Sequence, residues 1–225
     1  MAPGIRMLRV AEHGDESPST KTMRFVGSMD ADPGQFVMVW IPGADEFPMS
    51  LSYMGESFGI TYQIVGDGTR ALSRTPKGGL IGIRGPFGKG FSIVGRKVLV
   101  VAGGMGIAPT APLIENASRK GTTVHLALGA RTARELVFED RCAKAGAKVS
   151  VSTNDGSKGH NGLVTELASS LLDKERYDHV YVCGPERMIT AMVSTCKARD
   201  LPMQASVERI MKCGIGICDS CALDG

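Results

Sequence analysis

Cys213, Cys218 and Cys221 lie within nine residues, in the run Cys-Gly-Ile-Gly-Ile-Cys-Asp-Ser-Cys. The spacing C-x4-C-x2-C presents thiolates to the two irons of a [2Fe–2S] cluster. A cluster loop must curl its backbone N–H groups toward sulfur, and Gly214 and Gly216 give the chain that freedom. Zinc more often takes C-x2-C pairs with a second pair elsewhere. Cys213, Cys218 and Cys221 are therefore assigned as metal ligands of a cluster, with a zinc-binding interaction module as the alternative from another class. All-cysteine ligation needs four thiolates, and this segment supplies three. Asp219 and Asp224 are weak substitutes, and Cys142, Cys183 and Cys196 fall within predicted α/β elements. The expectation is a fourth ligand beyond Gly225, which leaves the segment incomplete.

A second chemical signal is Val101-Ala102-Gly103-Gly104-Met105-Gly106-Ile107-Ala108-Pro109. It follows an apolar run and opens a helical one. Glycines there let a pyrophosphate approach the backbone, and the helix start offers free N–H groups and a positive dipole end. The register is not G-x-G-x-x-G, so a plain strand-to-helix turn is the alternative. Cys183-Gly184-Pro185 stands at the end of another predicted strand, where its thiol is either at a ligand edge or simply buried. In the first half, Pro48-Met49-Ser50-Leu51, Thr61-Tyr62-Gln63, Gly66-Asp67-Gly68-Thr69 and Gly85-Pro86-Phe87-Gly88 punctuate the chain. Ser50 and Thr69 are hydroxyl donors suited to a phosphate or flavin tail, and Tyr62 is suited to stacking on a ring. Each of these is also readable as a turn.

The elements that must position these residues change character near residue 95. Before it, short β-like runs at 36–41, 58–65 and 80–84 end in glycine or proline, which predicts a small barrel or sandwich. After it, strands at 97–102, 123–128, 148–152, 179–183 and 203–207 alternate with helices at 108–119, 133–145, 163–172 and 186–199. Largely apolar strands separated by helices form a parallel sheet covered on both faces. Ligands bind such sheets at the carboxyl ends of the strands.

Size and charge narrow the classes. A chain of 225 residues fits two domains of about 100 residues each. The net charge is +3, with 26 basic and 23 acidic residues interspersed. There is no long basic run interleaved with aromatics, so nucleic acid is not an expected partner. No apolar run approaches the roughly 20 residues that span a bilayer, and residues 1–10 lack a signal-peptide apolar region. Neither membrane anchor nor secretion is expected. Clustered cysteines in a chain of this size point to a reducing compartment, the cytoplasm.

These motifs stand in the order of a known family. The chain resembles the ferredoxin–NAD(P) reductase superfamily and, within it, the iron–sulfur electron-transfer subunits of dihydroorotate dehydrogenase, the PyrK family. The family's Arg-Pro-x-Ser matches Pro48 to Ser50, with Phe47 where arginine is usual. That departure implies another base near the FAD pyrophosphate or weaker flavin binding. Tyr-x-x-x-Gly-x-Gly-Thr matches Tyr62 to Thr69, and Gly-Pro-x-Gly matches Gly85 to Gly88. Gly-Gly-x-Gly-x-Ala-Pro matches Gly103 to Pro109, Cys-Gly-Pro-x-x-Met matches Cys183 to Met188, and the cysteine run matches Cys213 to Cys221.

The resemblance implies an antiparallel FAD-binding β-barrel over 1–95, a doubly wound NAD-binding α/β domain over 96–207 and a [2Fe–2S] segment over 208–225. It implies an NAD(P)H-dependent flavin oxidoreductase subunit of pyrimidine biosynthesis. Electrons would pass from NADH through FAD, across the cleft between domains, and through the cluster to an FMN-containing dihydroorotate dehydrogenase catalytic subunit. Two copies of this chain would flank a catalytic dimer. The direction of flow stays open, and no general base is needed. The alternative within the superfamily is a subunit of an NADP-dependent ferredoxin reductase, sulfide dehydrogenase or hydrogenase. Arg131 and Arg134 would then meet a 2′-phosphate, although solvated helix-start arginines are the preferred reading. A flavin-free scaffold is a third possibility.

Overall fold

The computed structural model describes residues 4–222. The chain forms two compact units. One runs to Gly90 and takes in the stretch from Arg209; the other is Phe91–Glu208.

The first unit is a closed six-stranded antiparallel barrel. Its strands are β1 (Arg6–Ser17), β2 (Thr20–Phe25), β3 (Phe36–Trp40), β4 (Glu46–Tyr53), β5 (Gly59–Gln63) and β6 (Leu80–Phe87), with the short helix α1 (Asp67–Ser73) before β6. The order around the barrel is β1-β2-β5-β4-β3-β6. Side chains alternate across each strand, so Val37, Val39, Leu51, Ile60, Ile81 and Ile83 fill the interior. Three hydroxyls are buried with them. The Thr61 hydroxyl lies 2.7 Å from those of Thr22 and Ser52, so they satisfy one another. β1, β2 and β4 escape the sequence reading because their apolar alternation is diluted by charge or interrupted by Pro48. That proline is tolerated because it lies where β4 pairs only with β3; pairing with β5 starts at Leu51.

The second unit is a parallel sheet with helices on both faces. Its strands are β7 (Lys97–Gly103), β8 (Thr123–Ala130), β9 (Lys148–Thr153), β10 (His160–Asn161), β11 (His179–Cys183) and β12 (Met203–Ser206). The helices are α2 (Ile107–Arg119), α3 (Glu139–Lys144), α4 (Val164–Lys174) and α5 (Glu186–Lys197). The order β10-β9-β8-β7-β11-β12 reverses direction between β7 and β11. α4 and α5 pack with Leu99, Val101, Val180 and Val182 on one face, while α2 packs with α3 on the other.

The helix expected over 133–145 is broken. A 3-10 turn at Ala133–Glu135 gives way to extended Leu136, and Phe138 adopts φ 62° before α3 starts. Val137 and Phe138 are both buried, and Arg141 lies over the Phe138 ring at 4.7 Å. The extended Leu136 and left-handed Phe138 are what end helical continuity there.

Residues 91–95, expected with the barrel, are tied to the sheet. Tyr181 donates to the Ser92 carbonyl and accepts from the Val94 N–H, both at 2.8 Å, and Phe91 meets its ring edge-on.

Three histidines are held mainly uncharged by burial: His13, His125 and His179 all lie below their ordinary value of 6.5. His125 bonds Tyr177 at 2.7 Å and Ser150 at 2.9 Å, and His13 bonds Tyr62 at 2.8 Å. The unfolded chain takes up these protons as pH falls through 6.5, whereas the folded chain resists. The fold therefore loses stability progressively below pH 6.5 and keeps it above. Urea midpoints at pH 7.5 and 5.5 measure this, and an unchanged midpoint would contradict it.

Candidate functional site

The barrel wall is the first part of the site. On β3, Val37 and Val39 point inward, so Phe36, Met38 and Trp40 point outward. Their register partners on β4 are Ser50, Pro48 and Glu46, and paired residues share a face. Pro48 and Ser50 thus stand on the outer wall, while Phe47 and Met49 turn inward against the core. Leu51 is fully buried. Phe47 is therefore a packing residue. Its ring covers Gly68, where a Cβ would come within 2.7 Å of it.

The same outer wall carries the cysteine segment. Met38 points away from the barrel core yet is fully buried, and Phe87 is nearly so. Gly214 covers them: a Cβ there would sit 3.0 Å from Met38 Cγ and 3.3 Å from the Phe87 ring. Arg84 on β6 donates to the Cys213 carbonyl at 2.9 Å and grips Glu46 through Nε and a terminal nitrogen at 3.0 and 3.1 Å.

Backbone in the segment turns through positive φ at Gly214 (73°), Gly216 (79°) and Asp219 (61°). The N–H of Ile215, followed by those of Cys218 and Ile217, is directed at the Cys213 thiol and holds it below the usual thiol range, against an opposing contact with the Cys218 side chain. The hydroxyl and then the N–H of Ser220 bring Cys218 down to about 6. Depressed thiols ringed by amide donors fit an iron–sulfur cluster, whose ligands bind as thiolates and whose sulfurs accept such bonds. Cys213 and Cys218 are brought together. Among the described residues, no three His, Cys, Asp or Glu side chains gather as one metal cage.

In the second unit, the carboxyl ends of β7 and β11 meet where the strand order reverses, the place where open α/β sheets bind ligands. β7 ends at Gly103, turns through Gly104–Gly106 and enters α2. A Cβ on Gly106 would lie 2.0 Å from the Cys183 carbonyl, and one on Gly184 would lie 3.0 Å from that of Gly103. These glycines let two strand ends touch. Gly104 differs: its φ is 54° and a Cβ there meets nothing within 4 Å, so its backbone faces open space. The first turn of α2 carries no acidic residue, so the partial positive charge of the helix start is uncompensated. Ala108 and Pro109 are buried in that turn, and Thr110 donates to the Gly106 carbonyl at 2.9 Å. A nucleotide's pyrophosphate fits this combination of approachable backbone and N–H groups. Pro185 caps α5.

Several residues singled out from the sequence are committed elsewhere. Tyr62 is 2% exposed, so its ring has no face to offer a cofactor. Thr61 belongs to the buried hydroxyl group, and Gln63 donates to Ser19. The Thr69 hydroxyl accepts the N–H groups of Val65 and Gly66 at 3.0 Å, tying off α1. Gly85 and Gly88 pack closely against Val37 and Phe36. Cys183 is buried, and burial pushes its thiol up to about 12; Cys142 behaves alike. Neither is a thiolate at neutral pH. Arg131 is paired with Glu135 at 3.0 Å and is largely exposed. Arg84 and Glu46 were missed, because nothing in the sequence marks two charges 38 positions apart as partners.

Residues 100–194 match the family described as oxidoreductase NAD-binding domain. The chain is 42% identical over 216 residues to the probable dihydroorotate dehydrogenase B (NAD(+)), electron transfer subunit of Methanocaldococcus jannaschii, covering 96% of this chain and 82% of that protein. It is 44% identical over 218 residues to the protein of the same description from Methanocella arvoryzae, covering 93% and 81%. The chain belongs to the family of dihydroorotate dehydrogenase B electron transfer subunits. A solved structure from work on flavin-based electron bifurcation, the NADH-dependent reduced ferredoxin-NADP oxidoreductase, superposes with a TM-score of 0.87 at 26% identity, over 97% of this chain and 82% of that one. The FAD/NAD-binding domain of nitric oxide dioxygenase from Vibrio cholerae shares the fold at a TM-score of 0.78 and 21% identity, over 90% and 98%. An electron transfer subunit of this family is an NAD-dependent oxidoreductase component with an FAD/NAD-binding flavoprotein fold. No helix among the described residues is long and apolar enough to cross a membrane.

Proposed function

We propose that this subunit holds FAD on the barrel wall at Pro48 and Ser50, binds NAD(H) at the Gly103–Gly106 turn, and ligates a [2Fe–2S] cluster through Cys213, Cys218 and Cys221. Its partner is a catalytic subunit acting on dihydroorotate, in an assembly with two copies of each. When bound, the flavin supplies exchange between two-electron and one-electron transfer, and the cluster supplies single-electron relay. The chain's own residues bind, orient and tune these groups. The relatives are named for NAD(+), the oxidised nicotinamide, which favours flow from the partner's substrate to NAD(+) over the reverse direction expected from the resemblance.

One observation carries this reading. Gly214 packs on Met38, and Met38 is the direct register partner of Pro48. The cysteine segment and the flavin motif are thus anchored about one strand spacing apart, roughly 5 Å, on one wall of one unit. That suits a chain built to pass electrons between the two groups.

The purified protein is expected to be yellow-brown. Its flavin absorbance should bleach when NADH is added without oxygen, and iron and acid-labile sulfide should be present in equal amounts. Colourless protein that takes up neither FAD nor iron after anaerobic reconstitution would sink the proposal. Zinc in place of iron would leave the interaction-module reading standing.

A further inference from the structure

Resting on the proposal that the cysteine segment holds the cluster, we infer that Arg84, braced by Glu46, is the residue that positions this segment on the barrel. Residues 209–222 form no helix or strand. Three of the segment's apolar side chains stay in solvent: Ile210, Ile215 and Ile217 are 77%, 42% and 78% exposed. Its hold on the barrel combines the seat of Gly214 on Met38 and Phe87 with a polar contact from Arg84. One guanidinium uses its fork on both Glu46 oxygens and has another nitrogen left for the Cys213 carbonyl.

Arginine suits this task and lysine does not. The planar fork fixes three donor directions at once, whereas an ammonium is a single swivelling point. The plane is further held over the Phe87 ring at 5.3 Å, the ring on which Gly214 rests. Both charges are largely shielded, with side chains 16% and 27% exposed, so water and salt screen the pair less than an ordinary surface bridge. Glu46 sits on β4 two residues before Pro48, facing the same way. The clasp therefore fixes the first cysteine relative to the strand that carries the flavin motif.

The contact also places a positive charge beside the first cysteine and a negative one behind it. Removing each should move a cluster potential in opposite senses. Arg84→Met leaves Glu46 unpaired and disfavours the added electron, lowering the potential. Glu46→Gln removes the negative charge and raises it. A merely structural loosening would not produce opposite signs.

The test uses the full chain carrying its cofactors, with hydrogen exchange followed by mass spectrometry over residues 210–222 and the potential followed by electron paramagnetic resonance. Arg84→Met is expected to speed exchange at 214–218 at least about tenfold, the factor carried by one charge-assisted hydrogen bond. Arg84→Lys, which keeps the charge but not the fork, should recover most of the potential and little of the protection. It also guards against misfolding of the methionine variant, with thermal unfolding as the check. Unchanged exchange in both arginine variants would overturn the inference, and so would potential shifts of one sign in Arg84→Met and Glu46→Gln. Wild-type protein lacking iron and sulfide would instead overturn the cluster proposal, and the exchange result alone would then decide whether Arg84 holds the segment.

Discussion

Gly106→Ala is expected to destabilise the chain by about 3 kcal/mol, the upper range for inserting one methyl group into a packed interior. NAD(H)-dependent turnover should fall at least about 10²-fold, as misplacing reacting groups by about 1 Å does. The cause is proximity alone. Gly106 has φ −59° and ψ −15°, which any residue adopts. Its added Cβ would lie 2.0 Å from the Cys183 carbonyl oxygen, 2.4 Å from its carbon and 2.8 Å from the Gly184 nitrogen. These are backbone atoms, so no side chain can swing aside. Relief requires β11 to separate from the start of α2, against the continuous pairing of His179 through Cys183 with Val98 through Ala102. That pairing lies inside the sheet, away from both edge strands, and the glycine turn at its carboxyl end is the proposed nucleotide site.

Gly104→Ala is the informative contrast. Its Cβ meets nothing, but its φ of 54° strains an L-residue, at a cost of about 1–2 kcal/mol. The methyl would project where the nucleotide is proposed to approach, so the KM for NADH should rise while flavin content stays the same. Urea denaturation and steady-state kinetics on both variants separate the two glycines. A Gly106→Ala protein with wild-type midpoint and rate would show that the strand ends move apart freely, contrary to this packing.

These two glycines show why the α/β half was legible in the sequence. Val98 to Ala102 is a buried run, and the glycines follow at the point where the chain must turn tightly into a helix, so local sequence and global fold agree. The barrel was harder to read. In β1 the run from Glu12 to Ser17 has no apolar alternation, and its place is set by register with β2 rather than by its own pattern. The hydroxyls of Thr61 and Thr69 and the ring of Tyr62 invite a ligand role in a string of letters. In three dimensions each is spent inside the barrel or at its helix cap. Pro48 and Ser50 differ from Phe47 and Met49 only in parity. That decides which face they occupy, and parity is invisible until the strand and its register are known. Arg84 was beyond reach because its partners, Glu46 and Cys213, come from β4 and from the far end of the chain.

Cys218→Ser is expected to split the activity in two. Reduction of a small soluble dye by NADH should persist, while electron exchange with the catalytic partner should fall to background. The residues proposed to bind NAD(H) lie in the Phe91–Glu208 unit and those proposed for FAD on β4, and Cys218 touches neither core. It is exposed, so the loss of one sulfur should change folding stability by no more than about 0.5 kcal/mol. What the substitution does remove is specific. Bonds from the Ser220 hydroxyl and N–H hold Cys218 at about 6, so it is a thiolate at neutral pH and ready to bind iron. A serine in its place keeps the shape but stays protonated, and a hard hydroxyl is a poor ligand for a soft iron–sulfur site. Cys142→Ser is the opposite case. Its thiol is fully buried and held up near 12 by burial, so that change should lower stability and leave the ratio of the two activities unaltered. Equal loss of dye reduction and partner exchange in Cys218→Ser would place the cysteine segment outside the electron path and reduce it to a structural tail.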